Sequence, residues 1–239
     1  MIAFGIQEIV VFVFLTTLMV FCWRYKKLTL KGVFAAAIIG VSVYLADHWR
    51  GLMLLLVFFL ISVVATSHRK DIKLKIHSKS TQISGRTAGQ VFANGGIAAL
   101  CAIISLLDPA HLATYLVMMA SSIASALGDT LSSELGIIYG RRFYNILTLK
   151  PDQNGLDGVV SVEGTLIGAL GSLLVGVSFA GFSLAAFIIG LAGILGNLSD
   201  SIIGATLERK DIVGNNLVNL LNTLIAAVAG LLLYLSITP

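Results

Sequence analysis

The sequence predicts an all-α, polytopic bundle of about eight transmembrane helices, and three observations lead there. Hydrophobic residues make up 57% of the 239-residue chain and charged residues 12%, with a mean hydropathy of +0.95. The apolar residues fall in repeated runs, each close to the ~20 residues that span a hydrocarbon core of roughly 30 Å. Fifteen of the sixteen Lys and Arg residues fall in alternate breaks between those runs. A single integral membrane domain over 1–239 is the natural organisation.

Apolar runs between polar breaks give helices near 2–23, 30–46, 51–66, 90–107, 111–136, 161–180, 183–207 and 216–237. The first lacks a basic leader and a small-residue cleavage site before Trp23-Arg24-Tyr25-Lys26-Lys27, so it reads as a helix and not a signal peptide. The third is short, and the fifth and seventh have polar C-terminal halves, which leaves seven as the alternative count. Helices 1–3, within 1–66, are nearly featureless apart from Glu8 near one end. They read as scaffold or as a subunit interface, compatible with a homodimer. Cys22 and Cys101 lie in apolar runs and act as small hydrophobes. From residue 67 the character changes: long loops at 67–89 and 137–160 alternate with helices whose ends are polar on one side. The working part is expected within 67–239.

Cytoplasmic loops retain positive charge. Arg24 to Lys31, Arg69 to Arg86, Arg141, Arg142, Lys150, Arg209 and Lys210 all fall on one side, and Arg50 alone on the other. The expectation is a multi-pass protein of the cell membrane with both termini on the non-cytoplasmic side and its active face cytoplasmic. The net charge of +4 then reflects topology and anionic headgroups of the bilayer, with no nucleic-acid partner implied.

Acids within membrane helices cost on the order of 2.5 to 3.5 kcal/mol at mid-bilayer and mark function or a buried pair. Asp129 follows the small-residue run from Ala120 to Gly128, which permits close helix contact. Ser122, Ser125, Asp129, Ser132 and Ser133 share one face. Glu134 lies roughly 140° away, so one ion could take both acids only if the helix unwound. Asn197, Ser201, Gly204 and Glu208 recur around Asp200. Ala126-Leu-Gly-Asp129-Thr-Leu and Asn197-Leu-Ser-Asp200-Ser-Ile are weakly alike, as two parallel half-repeats would be. Helix 8 opens with Asn215, Asn216, Asn219 and Asn222, and Arg86, Gln90 and Asn94 recur every fourth residue at the start of helix 4. Four polar stripes entering from one side together predict a water-accessible cavity, although a single asparagine is more often interhelical glue than a ligand.

The segment Lys150-Pro151-Asp152-Gln153-Asn154-Gly155-Leu156-Asp157-Gly158 precedes helix 6. Its glycines permit close backbone approach to phosphate, and the positive end of the helix follows. A plain turn leading into an N-cap at Ser161 explains the same residues. His68 and His77 read as solvated members of a basic loop. Magnesium takes one or two carboxylates plus phosphate oxygens, and Asp129, Glu134, Glu163 and Asp200 stand beside Arg86 and Lys150. That is a set suited to phosphoryl transfer.

Four blocks also resemble a known family: Gly85 to Gly96, Gly128 to Gly136, Asp157 to Thr165 and Gly196 to Leu207. They are similar to the polytopic membrane family, formerly of unknown function, that contains plant and cyanobacterial phytyl-phosphate kinase and archaeal members. The match runs from about residue 28 to the end and departs at Asp157 and Glu163, where a more neutral glycine-rich stretch is expected. The resemblance implies transfer of a phosphoryl group from a nucleoside triphosphate, CTP or ATP, to a prenyl monophosphate such as phytyl or geranylgeranyl phosphate. On that reading Asp129, Glu134 and Asp200 are catalytic and, with Glu163, hold Mg2+. Arg86, Asn94, Lys150, Asn154, Gly155, Gly158, Ser161, Asn219 and Asn222 bind the co-substrate. A transporter or channel, or a cytidylyltransferase forming a CDP-lipid, are the alternatives.

Overall fold

A computed structural model describes residues 5–76 and 85–237. Its helices are α1 (Ile6–Arg24), α2 (Leu30–Ser67), α3 (Lys70–Ile76), α4 (Ala88–Leu107), α5 (Leu112–Tyr139), α6 (Val162–Ala180), α7 (Leu184–Thr206) and α8 (Asn215–Leu235). A two-stranded antiparallel hairpin, β1 (Tyr144–Asn145) with β2 (Val159–Val160), sits between α5 and α6. His77 lies outside the described residues.

The 38-residue α2 is a hairpin and not a rod. A straight helix of that length would run to about 57 Å, far beyond a bilayer core. Asp47 (φ −135°, ψ 16°) and His48 (φ 49°, ψ −138°) leave the helical conformation. A Cβ on Gly51 would lie 2.6 Å from Val43 Cγ1, so glycine is what lets the returning arm cross. Lys27, before the helix, donates to Ser67 at its far end at 3.4 Å. The turn is closed by Arg50, whose Nε and Nη2 grip Asp47 at 2.6–3.0 Å while its guanidinium lies 4.4 Å from the Phe179 ring centroid. Seven of the described helices are long and apolar enough to cross a membrane. Because α2 doubles back, its two arms, residues 30–46 and 49–67, are separate helical segments, which accords with the eight helices expected from the sequence.

Helix α5 is the hub of the bundle, burying fifteen of its 28 residues. Small residues let its neighbours approach closely, which is how helices associate where lipid removes the hydrophobic drive. A Cβ on Gly128 would meet the Gly168 carbonyl at 3.1 Å, and one on Gly193 would meet Ala124 Cβ at 2.7 Å. Ser172 of α6 donates across the contact to the Ala124 carbonyl at 3.0 Å. Met119, Ile123, Leu127 and Ile189 are fully buried and fill the middle of the bundle.

At the basic face, two loops are laced to helix ends. Thr29 N donates to the Arg86 carbonyl (3.0 Å) and Arg86 N to the Lys27 carbonyl (2.9 Å), so the end of α1 and the approach to α4 are held together. Gly85 (φ +92°) is required there, because a Cβ would lie 2.9 Å from the Lys26 carbonyl oxygen. Thr87 and Gln90 form a reciprocal capping box that starts α4. Ser161 caps α6 by accepting from Gly164 N at 3.1 Å.

Candidate active site

Two cavities open on the basic face, and Asp129, Ser133 and Asn215 line both. The first, about 270 Å3, is acidic: Asp129, Asp157, Asp200 and Glu208 line it, with no Lys or Arg among its lining residues. The second, about 710 Å3, is basic on balance, with Lys26, Lys27, Lys70 and Arg86 against Asp129 and Glu134. Asp129 thus stands in the wall between regions of opposite charge.

The acidic cavity is built around a carboxylate pair. Asp129 on α5 and Asp200 on α7 are in hydrogen-bonding contact with each other, which brings the two weakly similar segments face to face. Two carboxylates so close require a proton or a cation between them. Asn222, completely buried on α8, donates to Asp200 Oδ1 at 2.6 Å and accepts from Ser125 at 3.0 Å. Ser132 donates to Asn197 Oδ1 at 3.0 Å. Ser125 and Ser132 of the serine face of α5 therefore fix α8 and α7 around the pair, while Ser122 and Ser133 bond back to the backbone of α5 itself.

The far wall is the segment before α6. Gly155 (φ +87°) and Gly158 (φ +73°) adopt left-handed conformations, and Gly158 lies against Ala205 so tightly that no Cβ fits. Asn154 donates to the Ile137 carbonyl at 3.1 Å and pins the segment to α5. Arg209 holds Asp152 at 2.7 Å, and this ion pair pulls the Asp152 carboxyl down to about 2. Ser161, Gly164 and Thr165 bring the first turn of α6 to the cavity, positive end forward.

The basic cavity joins what the sequence left apart. Arg86, Gln90 and Asn94 all line it, as their spacing of four predicts, together with Asn216 and Asn219 of α8. Burial pushes the Arg86 guanidinium below its usual range, against the opposing pull of Glu134 and Asp129. Asn94 and Asn219 are each about nine-tenths buried, and their Oδ1 atoms have no hydrogen-bond partner among the described residues. Lys26, Lys27 and Lys70 line this cavity without having been expected there, because a basic cluster after a membrane helix reads first as a topology signal.

Several expected ligands are not brought together. Glu134 is taken by Lys73, whose buried ammonium sits 2.6 Å from Glu134 Oε2 and also caps the Ala65 and Thr66 carbonyls at 2.8 and 3.0 Å. Helix α5 does not unwind, so Glu134 stays on its own side, away from Asp200. Glu163 turns to Arg141, accepting from its backbone N at 3.3 Å. No group of three or more His, Cys, Asp or Glu poised for a metal ion exists among the described residues. Of the four acids expected to hold a metal, the structure brings Asp129 and Asp200 together and turns Glu134 and Glu163 to basic-residue partners. Lys150 is exposed and lines neither cavity. Asn222 lies behind Asp200 and lines neither. His68 is exposed, as expected, but stacks on Tyr139 and shares a 2.7 Å hydrogen bond with its hydroxyl.

The fold and these cavities define a polytopic membrane protein with a polar site entering from one face. The chain belongs to the family described as integral membrane protein DUF92, which matches residues 13–227. It is 36% identical over 207 residues to an uncharacterized membrane protein of Methanocaldococcus jannaschii, covering 85% of this chain and 84% of that one. An uncharacterized membrane protein of Synechocystis is 32% identical over 208 residues, 84% and 81% of the two chains. The chloroplastic protein VTE6 of Arabidopsis thaliana is 28% identical over 224 residues, 86% of this chain and 65% of VTE6. No solved structure matches the chain.

Proposed function

We propose that the protein is a prenyl-phosphate kinase, transferring the terminal phosphoryl group of CTP or ATP to a prenyl monophosphate such as phytyl or geranylgeranyl phosphate, with the basic face cytoplasmic. The observation that carries it is the pair of adjoining cavities of opposite charge with Asp129 in their shared wall. Four cations against two carboxylates suit the basic cavity to the dianionic headgroup of the acceptor. The acidic cavity would repel a bare triphosphate, so the nucleotide enters it only with a divalent cation.

Asp129 and Asp200 fit that cation. They are two carboxylates already facing each other, and magnesium takes one or two such ligands and completes its shell with phosphate oxygens and water. When bound, Mg2+ supplies neutralisation of phosphate charge. The chain's own residues do the rest. Gly155 and Gly158 allow the backbone to approach the nucleotide phosphates, and the first turn of α6 directs its positive end at them. Arg86, Lys26, Lys27 and Lys70 hold the acceptor so that its oxygen faces the terminal phosphorus across the Asp129 wall. An acceptor oxygen forms the new P–O bond as the bond to the β-phosphate oxygen breaks, and that electron pair leaves on the nucleoside diphosphate. Charge balances without a proton transfer, so no general base is required.

The test is to incubate the detergent-purified chain with magnesium, labelled CTP or ATP and geranylgeranyl or phytyl monophosphate, and to weigh the lipid product. A prenyl diphosphate is expected. A CDP-lipid would replace the kinase with a cytidylyltransferase, and no product from folded protein with any donor would overturn the enzyme. Transport is the less supported reading, because the fully buried Met119, Ile123, Leu127 and Ile189 fill the bundle and line neither cavity.

A further inference from the structure

The basic cavity has a second neighbour. Arg86, Gln90 and Asn94 also line a third cavity, of about 130 Å3, whose remaining lining is apolar and comes from α1, α2, α4 and Leu28. Phe14 and Leu18 of α1 form one wall, and Ala36, Ala37, Gly40 and Phe59 from the two arms of α2 form the other. The space exists because the residues at 36, 37 and 40 are small: a Cβ on Gly40 would meet only ordinary contacts, Leu15 at 3.6 Å and Leu52 at 3.9 Å. The outer wall is lightly held, since α1 buries Val11 and Cys22 alone among its nineteen residues. At the junction with the basic cavity sits Asn94, 9% exposed. Its Nδ2 is committed to the Gln90 carbonyl at 2.9 Å, while its Oδ1 has no partner among the described residues.

We propose that this groove holds the phosphate-proximal part of the isoprenoid chain of the prenyl monophosphate, which enters from the bilayer past α1 and leaves its tail there, with its phosphate at Arg86 and Asn94. The proposal rests on the kinase reading and names its acceptor subsite. An apolar slot with one polar end, and cations at that end, matches an amphiphile with a single chain and a single anionic head. A diacyl lipid would need room for a second chain. The Arg86 guanidinium supplies the counter-charge to the dianionic head, and the partnerless Asn94 Oδ1 accepts from a water that hydrates the phosphate.

The experiment is photolabelling of the chain in detergent with geranylgeranyl monophosphate carrying a diazirine on its phosphate-proximal isoprene units, mapped by mass spectrometry. Label is expected within residues 14–22 and 36–40. Unlabelled geranylgeranyl monophosphate should displace it at least tenfold more effectively than geranylgeraniol, and more effectively than phosphatidic acid. Ala36→Phe should reduce the label at least tenfold. Leu18→Trp, which fills the groove from the other helix, should do the same and serves if the first variant fails to fold. Label lying elsewhere, surviving both substitutions in folded protein, or displaced equally by phosphatidic acid would overturn the groove. The readout is independent of turnover. Diphosphate product with label outside the groove sinks the groove alone, whereas groove label without product sinks the kinase alone.

Discussion

Helices α1 and α5 are both long apolar crossings, yet α1 buries two of nineteen residues and α5 fifteen of 28. The difference lies in side-chain size. Helix α5 carries Ala120, Ser121, Ser122, Ala124, Ser125, Ala126 and Gly128, whereas α1 has no Gly, Ala or Ser and is built mainly of Val, Ile, Phe, Leu and other larger side chains. Small residues allow backbones to close up and fix polar groups to within tenths of an ångström; large ones hold a neighbour at a distance and leave space. The dense region suits a site that must align phosphates. The loose one suits a chain that must slide in from lipid.

The comparison breaks first at the carboxylate pair. Asp129→Asn or Asp200→Asn removes one of the two facing carboxylates while keeping side-chain size. Turnover of prenyl monophosphate should fall by about a thousandfold or more, with the detergent elution profile unchanged. Activity within tenfold of the parent would remove that residue from the site. Next is Arg86, which joins the two regions. Arg86→Gln should cost about 10- to 100-fold in kcat/KM, the value of a charge-assisted contact to phosphate, expressed mainly in the KM of the acceptor. Lys150→Gln should change kcat/KM less than about twofold, because that side chain lines neither cavity. Equal losses in the two variants would put the phosphate outside the basic cavity.

These cases also mark what the sequence could and could not disclose. Helix positions were legible because hydropathy and length are local: even the fold-back of α2 was marked by Asp47, His48 and Arg50 between two apolar runs. The stripe of Arg86, Gln90 and Asn94 followed from helical spacing alone. Partners across helices were not legible, since periodicity gives the direction of a side chain on its own helix and says nothing of who stands opposite. Glu134 and Asp129 could be told apart by angle, but Lys73 as the partner of Glu134 comes from a seven-residue helix inside what read as a loop. Lys26 and Lys27 reach the site only because backbone bonds lace residues 27–29 to Arg86.

Packing density is tested by one substitution in each region. Gly128→Ala places a methyl against the Ser172 hydroxyl and 3.1 Å from the Gly168 carbonyl, where backbone cannot easily yield. It should destabilise the bundle by about 1–3 kcal/mol, as overpacking does. Gly40→Ala meets only van der Waals contacts and should leave stability within about 0.5 kcal/mol of the parent. Thermal unfolding in detergent reads both. Equal midpoints would mean that α5 packs no more tightly than the groove.

The smallest effect belongs to the loop that backs the acidic cavity, tied to the end of α7 by Asp152 and Arg209 at 2.7 Å. Arg209 holds the Asp152 carboxyl at about 2, below its ordinary 3.8. A depressed carboxyl pKa means the ion pair supports the folded loop fully above the ordinary value and loses that support as pH falls through the folded one. Hydrogen exchange in residues 144–160, corrected for intrinsic rates, should therefore be flat from pH 7 to about 4 and should rise as pH drops toward 2. Asp152→Asn should abolish that step and raise exchange at pH 7 by only about twofold, since exposed pairs contribute little. A step that persists in the variant would assign the acid sensitivity to another carboxylate, and Asp157, which lines the cavity on the same segment, is then the residue to replace.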